Sequence, residues 1–431
     1  MRITHLSTFD CTGGAAKAAY RLHRGLLELG HESRMVVRDK ASDDPTVNAF
    51  SPPLSGLIRL RRVLTRHYLA RCRIAITSRP ASAPYFSDDR SEHGADVLRQ
   101  IAPSDILNLH WIAGLFDYSN LFGQLPIGMP VVWTLHDMNA FTGGCHFDGH
   151  CWKYLEHCGA CPQLGSSESR DLSSEIWGRK RRLFGRLDSR RIQFVTPSRW
   201  LAEEMKRSPV LGNFPVSVLP YGIDTDTFQP RNQIMARERF DIPQAAKVIL
   251  FVAHAANEKR KGWDFFLKAT EPFRTDPQVF ILAVGYGSKN DDLGARAKTI
   301  ESVDNELAMS FVYSAADVFV APSLQDNFPN TALEALACGL PVVAFDVGGL
   351  PDMVRNNCTG VLVEPGNSRA LGAVIGELLN DEGRRRQMSA NCRRIALEEY
   401  ASGVQARRYI ELYESMLGKG SEAGVTANVT T

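Results

Sequence analysis

No apolar run in the sequence approaches the roughly 18 residues a membrane-spanning helix needs. The opening residues, MRITHLSTFD, also lack the apolar stretch of a secretory signal. Both absences lead to the expectation of a protein that starts and stays in the cytoplasm. A charge excess is missing too: 50 Lys and Arg face 48 Asp and Glu, a formal net charge of +2. A dedicated nucleic-acid binder would carry a basic surplus to neutralise phosphates, so no nucleic-acid partner is expected. With 44% hydrophobic and 23% charged residues, disorder and collagen-like repeats are excluded. The nine cysteines do not read as a disulfide framework in a reducing compartment. Five of them, Cys11, Cys72, Cys338, Cys358 and Cys392, are scattered and read as buried thiols.

What the 431 residues do contain is a repeated alternation of short β-type runs with helical patterns. Ile3 to Ser7 reads as a strand and Cys11-Thr-Gly-Gly14 as a turn. Leu22, Leu26, Leu27 and Leu29 form the apolar stripe of a helix that Gly30 stops. Met35 to Val37 starts another strand, and buried-strand runs recur at Ile106–Leu109, Val131–Leu135, Phe194–Val195 and Val216–Leu219. After the polar stretch Thr225 to Gln244 a second series begins, with strands at Val248–Val252, Phe280–Val284, Val318–Ala321 and Val342–Phe345. Strands alternating with helices predict an α/β fold with parallel sheets covered on both faces. The expected units are 1–230 and 231–395. An amphipathic helix within 396–418, around Tyr409, Leu412 and Tyr413, is expected to pack back on the first unit. The small, polar tail 419–431 is expected to be disordered. Two doubly wound units in tandem leave a cleft between the carboxyl ends of two sheets, where ligands bind in such folds.

The sharpest segment runs from Ala321 to Pro341. Pro322 to Pro329 reads as a loop at a strand's carboxyl end, and Asn330 as the N-cap of a helix Thr331–Cys338 that Gly339 and Pro341 terminate. Free amides at such a start favour an anion, by about 0.3–1 kcal/mol for an exposed charge. Glu334, one turn inside, would repel a phosphate but could accept from a pair of sugar hydroxyls. A solvated surface glutamate is the alternative.

Asp326 and Glu334 stand in a Pro-Ser-Leu…Leu-Glu-Ala-Leu-Ala-x-Gly-x-Pro-Val-Val-Ala frame followed by Gly348-Gly349. This segment resembles the nucleotide-sugar site of the GT-B-fold, retaining glycosyltransferases of family 4 (group 1). Gly13-Gly14 at the first helix, His136 after a strand, Pro220-Tyr-Gly-Ile-Asp-Thr-Asp-Thr-Phe228 and Lys261-Gly262 follow in the family's order. The resemblance implies two Rossmann-like, doubly wound parallel-sheet domains facing across a cleft. It also implies a sugar moved from a UDP- or GDP-type donor to a saccharide or lipid-linked acceptor, with no cofactor required for catalysis. Glu334 would hold the donor ribose, and the amides from Asn327 through Phe328 and Asn330 to Thr331 would meet the diphosphate. The implied catalytic set is His136, Lys261 and Asp326, with Gly13 and Gly14 allowing close approach to the donor. Two positions depart from the family: Asp326 stands where Glu is common, and His254 where a basic Arg is usual. Arg260 is the candidate replacement for that Arg. Retention through same-face attack, the leaving phosphate taking the acceptor's proton, is carried over with the family. The neighbourhood of the cysteine loop resembles bacterial members that build exopolysaccharide or surface glycans. A phosphorylase, a sugar-nucleotide epimerase and an inactive binding module are the alternatives on the same fold.

Four further cysteines, Cys145, Cys151, Cys158 and Cys161, fall within one loop, 145–161. They suit a structural zinc site, with His146, His150 and His157 as substitute ligands. Two local disulfides or free thiols are the other readings, and the loop is expected to shape acceptor binding. Finally, Leu57 to Ile76 carries Arg59, Arg61, Arg62, Arg66, Arg71 and Arg73 without an acid, and Arg179 to Arg182 with Arg186, Arg190 and Arg191 forms a second basic cluster. A basic amphipathic helix of this kind suits peripheral docking on an anionic membrane face, or a partly packed helix with a solvated side.

Overall fold

The structure, a computed structural model, describes residues 1–418 apart from 53–54, 80–83, 94, 127, 256–257, 288–292, 295 and 304. The tail 419–431 lies outside the described residues. The first sheet has seven parallel strands: β1 (Arg2–Phe9), β2 (Glu32–Asp39), β3 (Val47–Ala49), β4 (Ile106–Leu109), β5 (Val131–Thr134), β6 (Ile192–Thr196) and β7 (Val216–Val218). Their order is β3-β2-β1-β4-β5-β6-β7. The second sheet has six: β8 (Lys247–Ala255), β9 (Val279–Tyr286), β10 (Ala297–Ile300), β11 (Val318–Ala321), β12 (Val342–Phe345) and β13 (Gly360–Val363), in the order β10-β9-β8-β11-β12-β13. The central strands β4, β5, β11 and β12 are buried throughout. Helices cover both faces of the sheets, which is why these strands read as unbroken apolar runs rather than alternating ones. The edge strands β3 and β10 are short and partly exposed. They lack that signal and escape a reading by apolar runs, whereas β13 does carry the apolar Val361-Leu362-Val363.

In each sheet the order reverses beside the unit's first strand, between β1 and β4 and between β8 and β11. Loops leaving the carboxyl ends of those neighbours diverge, and the crevice between them is where such folds bind ligands. The loops after β8 and β11 are the Lys261 and Asp326 segments. The main chain passes between the units near Ile223 and again near Tyr400, and the two passages are bonded: Ile223 N–H donates to Tyr400 O at 2.7 Å and Ser402 N–H to Ile223 O at 2.9 Å. Beyond that point the helix Ser402–Met416 lies on the first unit. Its Ala406, Tyr409 and Tyr413 pack with Ile3, Leu22, Ile106 and Val132, and the Asn108 amide donates to Tyr413 Oη at 2.7 Å.

Two expectations change, for the scattered cysteines and the second basic cluster, while the first basic helix keeps both its readings. Of the scattered cysteines only Cys338 and Cys392 are buried, whereas Cys11, Cys72 and Cys358 are partly exposed. The helix Gly56–Cys72 buries Leu69 alone and leaves Leu57, Leu60, Leu64 and Tyr68 exposed. The second basic cluster is in part internal: Arg179 pairs with Asp88 at 3.0 Å and Asp89 at 2.6 Å, and Lys180 is buried.

Candidate functional site

Asp326 lies in the loop after β11 with 6% of its surface exposed. Lys261 Nζ stands 2.6 Å from its Oδ2 and Arg260 Nη1 3.2 Å, while the Asn327 amide donates to Oδ1 at 3.0 Å. Burial pushes this carboxyl up, but Lys261, Arg260 and the Asn327 amide outweigh it and hold the group below the usual carboxylate range. The lysine reaches this place because Gly262 turns the chain in the left-handed region (φ 76°), where a Cβ would sit 1.8 Å from Pro322 O. Gly348 and Gly349 permit an equally close approach from the other side. Cβ atoms there would lie 1.9 Å from Asp326 O and 1.6 Å from Asn327 O. Arg260 also donates to Gln325 O at 2.8 Å, so the replacement inferred from sequence does reach the site. His254 does not. It is exposed, its ring 5.9 Å from that of Tyr286, and among the described residues no hydrogen bond or ion pair joins it to Asp326 or Lys261.

The helix after this loop is Asn330–Ala337, and its N-cap is Pro329 rather than Asn330. The Asn330 side chain instead crosses to the first unit, donating to Gly14 O at 3.0 Å. Asn327 is likewise committed. Its Nδ2 donates to His136 O at 2.9 Å and its Oδ1 accepts from Ser198 at 2.5 Å. With the Asn327 amide spent on Asp326, the amides of Phe328, Asn330 and Thr331 are those with no acceptor among the described residues. The Phe328 ring is buried between Tyr221 and Tyr400, so only its backbone can serve a ligand.

Glu334 is not solvated. One carboxylate oxygen accepts from Arg21 of the first unit at 3.0 Å and the other from Tyr313 Oη at 3.0 Å. Arg21 also holds Glu306 at 2.7 Å. Neither Arg21 nor Tyr313 stands out in sequence. The only hint is an arginine set beside Leu22, on the stripe the first helix buries.

His136, directly beyond β5, has both ring nitrogens engaged, Nδ1 with Tyr221 Oη at 2.6 Å and Nε2 with His110 at 3.1 Å. His110 in turn meets His5 at 2.9 Å. Burial lowers His136 to about 4, so the ring is neutral at pH 7. Gly13 (φ 88°) and Gly14 start the helix Gly14–Glu28 across from Asn330. The cysteine loop also touches the site: Gly149 N–H donates to Gln325 Oε1 at 3.1 Å, and Arg260 lies 4.1 Å over the Phe147 ring. All four of its thiols are free.

Lys261, Arg260 and three amides with no acceptor among the described residues thus lie beside the carboxylates of Asp326 and Glu334, where the two units meet. Two facing parallel-sheet domains of this kind define the GT-B class. The family model described as Glycosyl transferases group 1 matches residues 246–381. The chain is 31% identical to the D-inositol 3-phosphate glycosyltransferase of Thermobispora bispora, covering 94% of this chain and 90% of that one. A match to the protein of the same name from Xylanimonas cellulosilytica, 34% identical, spans 41% of this chain and less than half, 46%, of that relative. Among solved structures, sucrose-phosphate synthase from Thermosynechococcus elongatus superposes with a TM-score of 0.66 at 19% identity, over 97% of this chain and 100% of that one. Anabaena Alr3699/HepE in complex with UDP and glucose gives 0.62 at 16% identity, over 96% and 100%. The chain belongs to the group 1 glycosyl transferases.

Proposed function

We propose that this glycosyltransferase moves a sugar, with retention of anomeric configuration, from a UDP- or GDP-sugar to a saccharide or lipid-linked saccharide in polysaccharide or surface-glycan assembly. The observation that carries the reading is the Lys261–Asp326–Arg260 cluster, with Asp326 eight residues before Glu334 and the neighbouring Asn327 and Asn330 bonded across to His136 O and Gly14 O. Breaking the glycosyl–phosphate bond places negative charge on the diphosphate. Lys261 and Arg260, paired with Asp326 in this structure, and the amides of Phe328, Asn330 and Thr331 are the groups placed to receive it. In the donor complex Lys261 exchanges its carboxylate partner for phosphate, and Asp326 turns to the sugar hydroxyls. The Anabaena neighbour, in complex with UDP and glucose, lends weight to a uridine donor. The relatives named for D-inositol 3-phosphate make a phosphorylated polyol the comparison acceptor.

Thermal shift against UDP- and GDP-sugars tests donor binding. A ligand at 100 times its dissociation constant stabilises by about 2.7 kcal/mol. At least one such donor is expected to shift melting and Glu334→Ala to abolish the shift. Product NMR after transfer to extracted glycan reads the anomeric outcome. An inverted product removes the retaining mechanism, turnover of donor without acceptor indicates an epimerase, and binding without transfer indicates a binding module.

A further inference from the structure

Cys145, Cys151, Cys158 and Cys161 are spread over 17 residues of chain, yet all four line one cavity of about 20 Å³. That is room for a single ion or water. The three histidines of the loop stay out of it. His146 is held by Asp137 at 2.7 Å and Ser87 at 2.8 Å, His157 lies against Trp177, and His150 beside Trp152. Asp148 borders the cavity, but its carboxylate accepts from Gln325 and from the Trp152 amide. Sulfur is therefore the donor set the cavity offers.

The loop backbone around the thiols is fixed by hydrogen bonds to its carbonyls: the Leu164 amide donates to Cys161 O at 3.1 Å and the Thr142 hydroxyl to Cys145 O at 2.6 Å. Lys180 is fully buried near Asp89, Cys145 and Cys158, and its ammonium donates to the carbonyls of Asn139 and Thr142. Lys153 Nζ, fixed on Gly159 O and Ala160 O, is a second cation at the cavity wall. Burying a lysine is costly, and a dianionic metal tetrathiolate beside it would add to what the Asp89 and Asp88 carboxylates offset. His150, Trp152 and Ala160 hold left-handed backbone at φ 61°, 60° and 42°, conformations that persist where something over-determines the loop.

We propose that these four cysteines bind one zinc ion, which staples the loop 145–161 and thereby places Gly149 and Phe147 against Gln325 and Arg260. Four thiolates select zinc or iron among common metals, and a closed tetrahedral set without an open position is structural rather than catalytic. The sulfurs surround the cavity without having closed on it: among the described residues no three His, Cys, Asp or Glu side chains already meet at ligating geometry. Zinc at about 2.3 Å from each sulfur would draw them inward.

Elemental analysis of the dialysed full chain, with thiol titration and intact mass, tests this. About one zinc per chain is expected, with these thiols unreactive until a mercurial displaces the metal. Exchange with cobalt(II) should give the thiolate charge-transfer and tetrahedral absorption bands. Because Cys158→Ser could simply misfold, Cys151→His serves beside it, and it should retain metal with altered cobalt bands. Metal-free protein with four reactive thiols that takes up no cobalt overturns the proposal. A metal-free mass four hydrogens light, meaning two disulfides, also overturns it, and stoichiometric iron overturns the choice of zinc.

Discussion

Arg21 and Glu334 meet between the two units, Nη2 to Oε1 at 3.0 Å, with side chains 6% and 9% exposed. The carboxylate assigned to the donor ribose is thus held by the opposite domain, while Arg21 Nε and Nη1 are buried with no hydrogen-bond partner among the described residues. Breaking a buried pair from one side strands the other charge, at about 3–5 kcal/mol. Arg21→Met and Glu334→Gln are each expected to lower urea-unfolding stability. The double variant should lose less than the sum, with a coupling above about 1 kcal/mol. Additive losses would mean the contact does not hold the units together.

Lys261 and Asp326 are expected to fail differently. Lys261→Ala removes charge stabilisation from the leaving diphosphate and should cut kcat by about 100- to 1,000-fold, the scale of losing one preorganised donor. Asp326→Asn keeps shape and burial but loses the anion, so it should impair sugar transfer more than binding of the free nucleoside diphosphate. Steady-state kinetics beside calorimetry with UDP or GDP separates the two.

Stability should depend on pH through the buried histidines. His23 and His136 are lowered to about 4, and His5 and His110 fall well below the usual value, in each case through burial first. A folded pKa below the unfolded one means the unfolded chain binds the proton first. Stability is therefore complete above about pH 6.5 and declines as pH falls toward 4, by up to about 1.4 kcal/mol per pH unit for each histidine. Urea melts between pH 7.5 and about 4.5 should show this fall, and His136→Gln should make it shallower. A flat profile would rule out neutral burial of these rings.

The helix Gly56–Cys72 presents Leu57 at 84%, Leu60 at 56% and Leu64 at 60% exposure beside Arg59 and Arg61. Co-sedimentation with phosphatidylglycerol vesicles at low salt is expected, weakened by salt and by Leu60→Ser with Leu64→Ser. Indifference to anionic vesicles would leave this helix a solvated surface element and end the peripheral-membrane reading.

Much of the donor side was legible in the chain because its parts are local. Lys261 is followed at once by the glycine that turns it, and Asp326 and Glu334 share one loop and helix. Asn330 shows where local rules stop. A good N-capping residue ahead of an apolar run reads as a cap, but the helix begins on Pro329 and a carbonyl of the other unit takes the asparagine. Cys11, Cys72 and Cys358 are partly exposed for a similar reason, since burial of one small residue depends on neighbours brought from elsewhere.

The sequence by itself determined two parallel α/β units and the loop and helix that carry Asp326 and Glu334, since strand composition, turn glycines and helix ends act over a few residues. Only the tertiary structure decided that His5, His110 and His136 form one chain. They stand in or just beyond β1, β4 and β5, strands that become neighbours only through the order of the sheet. It likewise decided that Arg21 closes on Glu334, 313 positions away. Such contacts are set by how whole elements pack, and no local pattern of residues carries that information.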